Sequence, residues 1–354
     1  MFVPPFCPHR DCSNHAHPRP RFCKRHGTYL ARCRPHPVQR YRCRECRRSF
    51  SRQTFRADYR DHRPDLNPRL FALLASGVGL RQCSRLLGLS RRCTELKFRK
   101  LARHLRRLNL NLRKHLQGPA RFHFDEFETF EGERNTRPLT VPMLIESESR
   151  YIVWAESAPI RPRGKRTPGR LRAIERAEKR HGPRRNLSER AIRRTLARGA
   201  ALTREAPQVR FESDEKSNYP RLASEAFGAQ RLSHRRVNSK VVRDTYNPLF
   251  PINHEEAMAR DLMGRLRRES WLASKARRYL DLGLQVHMAF RNLVRKRFNR
   301  DEDERSPAQI LGFLPRRLRT QEVLSWRQTW GRRSVHPLSR VGTSVEAWRV
   351  RAAT

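Results

Sequence analysis

RFHFDEFETF, Arg121 to Phe130, is an apolar, strand-like run that carries the acid Asp125. VRFESDEKSNYP, Val209 to Pro220, is a second such run and carries Asp214. A carboxylate at or near the end of a partly buried strand is costly to hold unless something binds it. Two such acids, far apart in sequence, point to a shared metal site. Glu126 and Glu215 adjoin them but fall on the opposite face of a regular strand, so they are read as supporting or solvated groups.

Outward from the first run, LTVPMLI (Leu139 to Ile145) and YIVWA (Tyr151 to Ala155) read as two further strands across the polar turn SESR. Three consecutive strands, the first bearing an acid, followed later by another acid-bearing strand, is the order expected of a ribonuclease-H-like mixed sheet with flanking helices. Between them, from about residue 160 to 200, lies an Arg-, Lys-, Pro- and Gly-rich insertion, expected to be disordered alone and to clamp a polyanion when bound. In-line transfer at a phosphodiester uses two divalent ions about 4 Å apart, so the chemistry asks for a third acid from a helix. In PINHEEAMARDLMGRLRR a helix is expected to begin near Asn253, with Glu256 closing a capping box onto it. Glu255 then lies on the stripe with Met258, Leu262 and Leu266, the face turned to the sheet, and is the candidate ligand.

The chain has 354 residues, with 79 Lys and Arg against 34 Asp and Glu, a formal charge of +45. Arginine dominates and grips phosphates in bidentate fashion, so nucleic acid is the expected partner. No run of eighteen apolar residues occurs, and MFVPPFCPHR lacks the regions of a signal peptide, so no membrane is expected and the location is read as cytoplasmic, on the nucleoid.

Cysteines cluster before residue 50. CPHRDC (Cys7, Cys12) and CREC (Cys43, Cys46) bracket short strands and turns and predict a structural zinc ribbon over 1–55, with Cys23, His26 and Cys33 as competing ligands. Over 64–117 the layout is helix, glycine turn and basic helix. Asn67-Pro68 starts a helix that stops at Gly77, LRQCSRLLG follows with Cys83, Leu86 and Leu87 toward a core, and Ser90 caps RRCTELKFRKLARHLRRL. This is a helix-turn-helix DNA reader, with Arg91, Arg92, Lys97, Arg99 and Lys100 as the expected contacts and Cys83 and Cys93 as buried apolar groups. The whole is a multidomain α/β protein, with the catalytic region over 119–299 and a basic helical tail over 300–354.

The strings YRCRECRRSFS, SGVGLRQCSRLLGLS, FDEFETFEGERNTRPLTV, ESDEKSNYP, NPLFPINHEEAMARDLMGRLRRESWLASK and SPAQILG occur in the order found in bacterial transposases, and the chain resembles the insertion-sequence-one family. That resemblance implies a D-D-E site on a ribonuclease-H-like fold, Mg2+ or Mn2+, recognition of terminal inverted repeats, and cleavage followed by joining to target DNA. Asp125 and Asp214 match the first two acids. The family's glutamate falls on Asn253, so either Asn253 is a neutral ligand, Glu255 substitutes, or the copy is an inactive, sequence-specific DNA-binding protein. The resemblance places Arg265, Arg268 and Lys275 along the DNA, brings His234 toward the scissile phosphate, and makes Trp271 a packing residue. Joining two DNA ends implies a homo-oligomer.

Overall fold

The computed structural model describes residues 2–113, 118, 120–165, 167–238, 240–242, 244–267, 272–312 and 314–326. Arg268, Trp271 and the tail beyond 326 lie outside them.

The N-terminal region is a three-stranded antiparallel sheet, β1 (Cys23–Tyr29), β2 (Val38–Cys43) and β3 (Ser49–Ser51), in the order β1-β2-β3. Its core is more aromatic than the polar sequence suggests: Phe6, Phe22, Tyr41, Phe50 and Phe55 are buried together with Cys7, Cys12 and Cys43.

Three helices follow: α1 (Asn67–Ala75), α2 (Leu80–Leu87) and α3 (Arg91–Arg113). Pro68 sits in the first turn of α1, where its missing N–H costs no helical bond. Gly88 ends α2 at φ 62°, a left-handed residue that releases the chain into the Ser90 cap, whose Oγ accepts from Cys93 N at 3.1 Å. Cys83 and Leu87 are buried, but Leu86 is 51 % exposed and Cys93 only half-buried, so neither of these last two serves the core assigned to it. Nor does the triad stand apart. Phe71, Phe98, Leu105 and Leu108 share one apolar cluster with the sheet residues Phe122, Phe124 and Phe211, so the boundary expected after residue 117 does not separate two cores. Asn109 Nδ2 ties α3 to the backbone carbonyl of Gln285 at 3.1 Å.

The larger sheet has six strands among the described residues: β4 (Arg121–Phe130), β5 (Pro138–Glu146), β6 (Ile152–Ala155), β7 (Ala158–Pro159), β8 (Val209–Asp214) and β9 (Leu232–Val237). Their order is β6-β5-β4-β8-β9, with the short β7 on β5. The first three strands are antiparallel, and β8 and β9 run parallel to β4. This mixed sheet, flanked by helices, is compatible with the ribonuclease-H-like expectation.

The basic insertion divides in two. Helix α4 (Pro168–His181), capped by Thr167, buries no residue and is the exposed arm. Helix α5 (Ser188–Ala200), expected to belong to the disordered segment, instead packs Ala191, Ile192 and Leu196 on the sheet. Its amphipathic stripe explains this: each fully buried Ile or Leu contributes about 1.5–3 kcal/mol, which a solvated arm forgoes. Gly199 permits the approach, since a Cβ there would lie 2.5 Å from Leu144 Cδ2. Helix α6 (Tyr219–Phe227) joins β8 to β9. On the opposite face lies α7 (Phe250–Leu262), whereas α8 (Arg277–Leu293) serves both clusters, with Leu280, Leu284 and Met288 on the side of α7 and Val286, Ala289 and Leu293 in the other. The segment with the short α9 (Pro307–Ile310) and α10 (Thr320–Ser325) adds Leu318, Val323 and Trp326 to that other cluster.

Candidate active site

Strand periodicity fixes which acids can meet. On β4, Phe122 and Phe124 face the cluster that contains α5 and α6, so His123, Asp125 and Phe127 face α7. On β8, Val209 and Phe211 share the first face, which turns Glu212 and Asp214 to the second. The parallel register pairs Phe124 with Ser213, and one step further sets Asp125 beside Asp214 on adjacent strands, on the same face. Both line a cleft of about 1120 Å3, together with Glu256 of α7.

The acid of α7 that shares the cleft with the two aspartates is Glu256, and Glu255, the candidate from the sequence, lies elsewhere. Helix α7 begins one turn before Asn253, with Leu249 as its cap and Pro251 in its first turn. Asn253 is inside the helix, its N–H donating to Leu249 O at 3.0 Å, so the capping box onto Glu256 does not exist. Ile252 and Ala259, both fully buried, define the face that meets the sheet, and Glu256 lies between them on that stripe. Glu255 turns instead to α8 and is sealed in an ion pair with Arg291, whose Nε donates to Oε2 at 3.0 Å while Nη2 holds Oε1. Burial raises the Glu255 pKa, but Arg291 and His254 outweigh it and push it down to about 2. Neither Glu255 nor Asn253 lines the cleft.

Glu126 lines the cleft from behind and is held rather than solvated. Its Oε1 accepts from Thr140 Oγ1 and Ser188 Oγ, both at 2.8 Å, and its Oε2 from Tyr219 at 2.9 Å and from Lys216. Burial works against its ionisation, yet Lys216 and these donors keep it charged, below the ordinary glutamate value. Lys216 also donates its backbone N–H to Asp214 Oδ1 at 3.1 Å, so one residue braces both acids. Burial raises the Asp214 pKa, which the Lys216 N–H only partly offsets and Glu126 reinforces. Glu215 is exposed.

The donor set is all oxygen, the chemistry of Mg2+ or Mn2+ rather than zinc. Among the described residues, the only group of three or more His, Cys, Asp or Glu with ligand atoms within 4.8 Å of one another is the cysteine quartet, so the three carboxylates are spread more widely. Around the acids stand Arg134, Arg161, Arg163, Arg170, Arg260 and Arg267, none of them singled out in the sequence. Arg260 was the one with a signal, one helical turn beyond Glu256, and its guanidinium lies 5.5 Å from the Phe127 ring centroid.

No protein family and no curated protein matches the chain. Among solved structures it is similar to the Mos1 mariner paired-end complex with Mn, at 12% identity over 62% of this chain and 70% of that one, TM-score 0.25. It is also similar to the Mos1 transposase paired-end complex with left transposon end, at 13% identity over 63% and 76%, TM-score 0.24. Overlaps so loose decide neither the fold nor the chemistry of this chain.

The remaining expected site residues scatter. Cys7, Cys12, Cys43 and Cys46 converge, with Sγ–Sγ distances of 3.6 Å for Cys7–Cys46 and 3.8 Å for Cys12–Cys43. Four sulfurs about 2.3 Å from a tetrahedral zinc lie about 3.8 Å apart, so the cluster fits structural zinc. Cys23, His26 and Cys33 stand outside it. His234 faces away from the acids, bonded to Ser213 Oγ at 2.9 Å and edge-on to Phe211, with burial pushing its pKa down to about 4. Arg265 packs over Phe98 and bonds Ser274 Oγ at 3.2 Å instead of facing DNA, while Lys275 is exposed.

On α3 the expected contacts divide likewise. Arg91 and Arg92 are exposed and Arg99 half-exposed. Lys97 is buried, bonding Asp61 Oδ1 at 2.5 Å, Arg63 O at 2.7 Å and Asn67 Oδ1 at 3.1 Å. Lys100 bonds the carbonyl of Tyr59, and burial lowers its pKa. These two lysines hold the segment between ribbon and α1, and are withdrawn from any duplex.

Proposed function

We propose that this chain is a metal-dependent DNA strand-transfer enzyme, a transposase of a bacterial insertion sequence that binds terminal inverted repeats, cleaves at them and joins them to target DNA. The supporting observation is that Asp125 and Asp214, on adjacent parallel strands, share one cleft with Glu256 of the facing helix beneath a rim of arginines. Divalent ions held by these acids would activate the attacking oxygen and stabilise the leaving oxygen. The chain's own groups do the rest. Lys216 and Glu126 keep the Asp214 carboxylate oriented, and Arg260 and Arg267 neutralise phosphate at the mouth. The exposed helix α4 brings further cations to the strand. The sequence reading of an inactive DNA-binding descendant rested on a missing third acid, and the presence of Glu256 in the cleft favours the active reading over it.

Nicking of a terminal-repeat duplex in Mg2+ or Mn2+ is the direct test. Asp125→Asn is expected to abolish nicking and leave DNA affinity intact or improved, because it removes a negative charge near phosphate. Cleavage that survived this substitution would end the assignment of Asp125.

For the reader helices, Arg91→Ala with Arg92→Ala is expected to flatten the plot of log affinity against log salt by about one unit for each lost phosphate contact. Lys97→Met should leave that slope unchanged and lower the melting temperature, since it strands Asp61. A slope that moved with Lys97 and not with the arginines would reverse the assignment.

A further inference from the structure

The loop from 238 to 249 joins the neighbour of one cleft acid to the helix that carries another. Val237, its last strand residue before the loop, is paired in register with Asp214, and α7, which follows it, bears Glu256. The chain thus leaves the strand end next to Asp214 and returns to the helix bearing Glu256, while none of the loop's own described residues lines the cleft. Its surface is unusual for such a place: Tyr246 is 91 % exposed and Val242 72 %, with Val241 also open. Large apolar side chains so displayed on an otherwise cationic protein mark contact with something.

The loop is braced to display them. The buried Asn247 donates its amide to Val242 O at 2.7 Å and Val241 O at 3.3 Å, and its Oδ1 accepts from Leu249 N at 2.8 Å. Asp244 Oδ1 accepts from Tyr246 N at 2.9 Å. These bonds fix the backbone on both sides of the tyrosine while leaving its ring in solvent. Leading to the loop is β9, the edge strand of the sheet, with Arg235 and Arg236 exposed and Lys240 exposed just beyond it. A cationic edge that ends in a displayed aromatic ring has the two parts of a single-strand site, a phosphate track and a stacking platform.

We infer that Tyr246 is a stacking platform for a nucleobase taken out of the duplex beside the cleft, with Val242 as the apolar flank and the β9 edge holding the backbone of the same strand. This rests on the proposed function only in taking DNA as the occupant of the cleft. The ligand is a base at a junction between duplex and single strand, of any sequence, since stacking reads the π-face and not the hydrogen-bonding edge.

The test uses the full chain carrying Asp125→Asn, with Ca2+, so that binding is measured without cleavage. The probe is a forked duplex with 5-iododeoxyuridine as the first unpaired base. Photo-crosslinking mapped by mass spectrometry is expected to fall on Tyr246, to be kept in Tyr246→Trp and Tyr246→Phe, and to be lost in Tyr246→Ala. The Kd of Tyr246→Ala for the fork should rise on the order of 10-fold, with intact-duplex affinity unchanged. A crosslink mapped elsewhere, or a fork affinity that ignored the alanine, overturns the inference. So does a loss of self-association in Tyr246→Ala, which would make the ring a contact between copies. Because this readout needs no cleavage, failure of wild-type nicking with the crosslink intact would fell the cleft reading alone.

Discussion

Glu256→Gln is expected to lose metal-dependent strand cleavage on the order of 10^3-fold or more with little change in melting temperature, and Glu255→Gln to do the reverse. The two residues are neighbours in sequence and nearly equally buried, yet they serve different faces. Glu256 shares the cleft with Asp125 and Asp214, where loss of a metal-borne charge interaction worth several kcal/mol costs a decade of rate per about 1.4 kcal/mol. Glu255 neutralises Arg291, which is itself buried. Removing one partner of such a pair costs roughly 3–5 kcal/mol, a fall in melting temperature on the order of 10 °C. The pH dependence adds a second signature. Because the Glu255 pKa is pushed down to about 2 from an ordinary value of 4.5, its stabilisation is fully present above 4.5 and is lost as pH falls from there toward 2. Glu255→Gln should therefore flatten the acid limb of the stability curve. Thermal melts across that range, beside nicking assays of both variants, check the pair. Cleavage lost in the Glu255 variant at full stability would return the ligand role to Glu255.

The neighbours Glu255 and Glu256 show where sequence reasoning stops. Period two was enough to read Asp125 and Asp214, because a strand has only two faces and the aromatic neighbours Phe122, Phe124 and Phe211 mark one of them. A helix offers a continuous circle of directions. Starting α7 at Asn253 left out Ile252, and without it the apolar stripe swings toward Met258 and takes Glu255 along; Pro251, a first-turn proline, was the signal for the earlier start. Charge was a still weaker guide. Lys97 and Lys100 carry the same formal charge as Arg91 and Arg92, and only tertiary contacts, with Asp61 and the Tyr59 carbonyl, show that the lysines are spent on holding the chain together. The helix Ser188–Ala200 was hidden for the same reason, its Ala191, Ile192 and Leu196 stripe submerged in arginines. The arginines of the cleft come from the β4–β5 turn (Arg134), the segment before α4 (Arg161, Arg163), α4 (Arg170), α7 (Arg260) and the turn after it (Arg267), and no local pattern could have collected them.

Cys43→Ser is expected to lose bound zinc by native mass spectrometry and to make residues 1–55 protease-sensitive, while the sheet bearing Asp125 and Asp214 keeps its resistance. Cys43 ends β2, is almost fully buried, and pairs across the cluster with Cys12 at 3.8 Å. Two forces hold this small module, and their sizes decide the outcome. The buried aromatic rings Phe6, Phe22, Phe50 and Phe55 contribute about 1.5–3 kcal/mol each. Zinc in a four-sulfur site would contribute about 10–16 kcal/mol of coupled binding and folding, at least as much as those four rings together. A serine hydroxyl in place of one thiolate keeps the shape but removes the soft ligand, so the metal term collapses while the rings remain. The aromatic cluster alone should then leave a loosened module, not a folded one, and DNA preference should weaken with it. Unchanged zinc content in the variant, or a ribbon that stays protease-resistant after chelation, would mean that the rings carry the fold and the four sulfurs meet for some other reason.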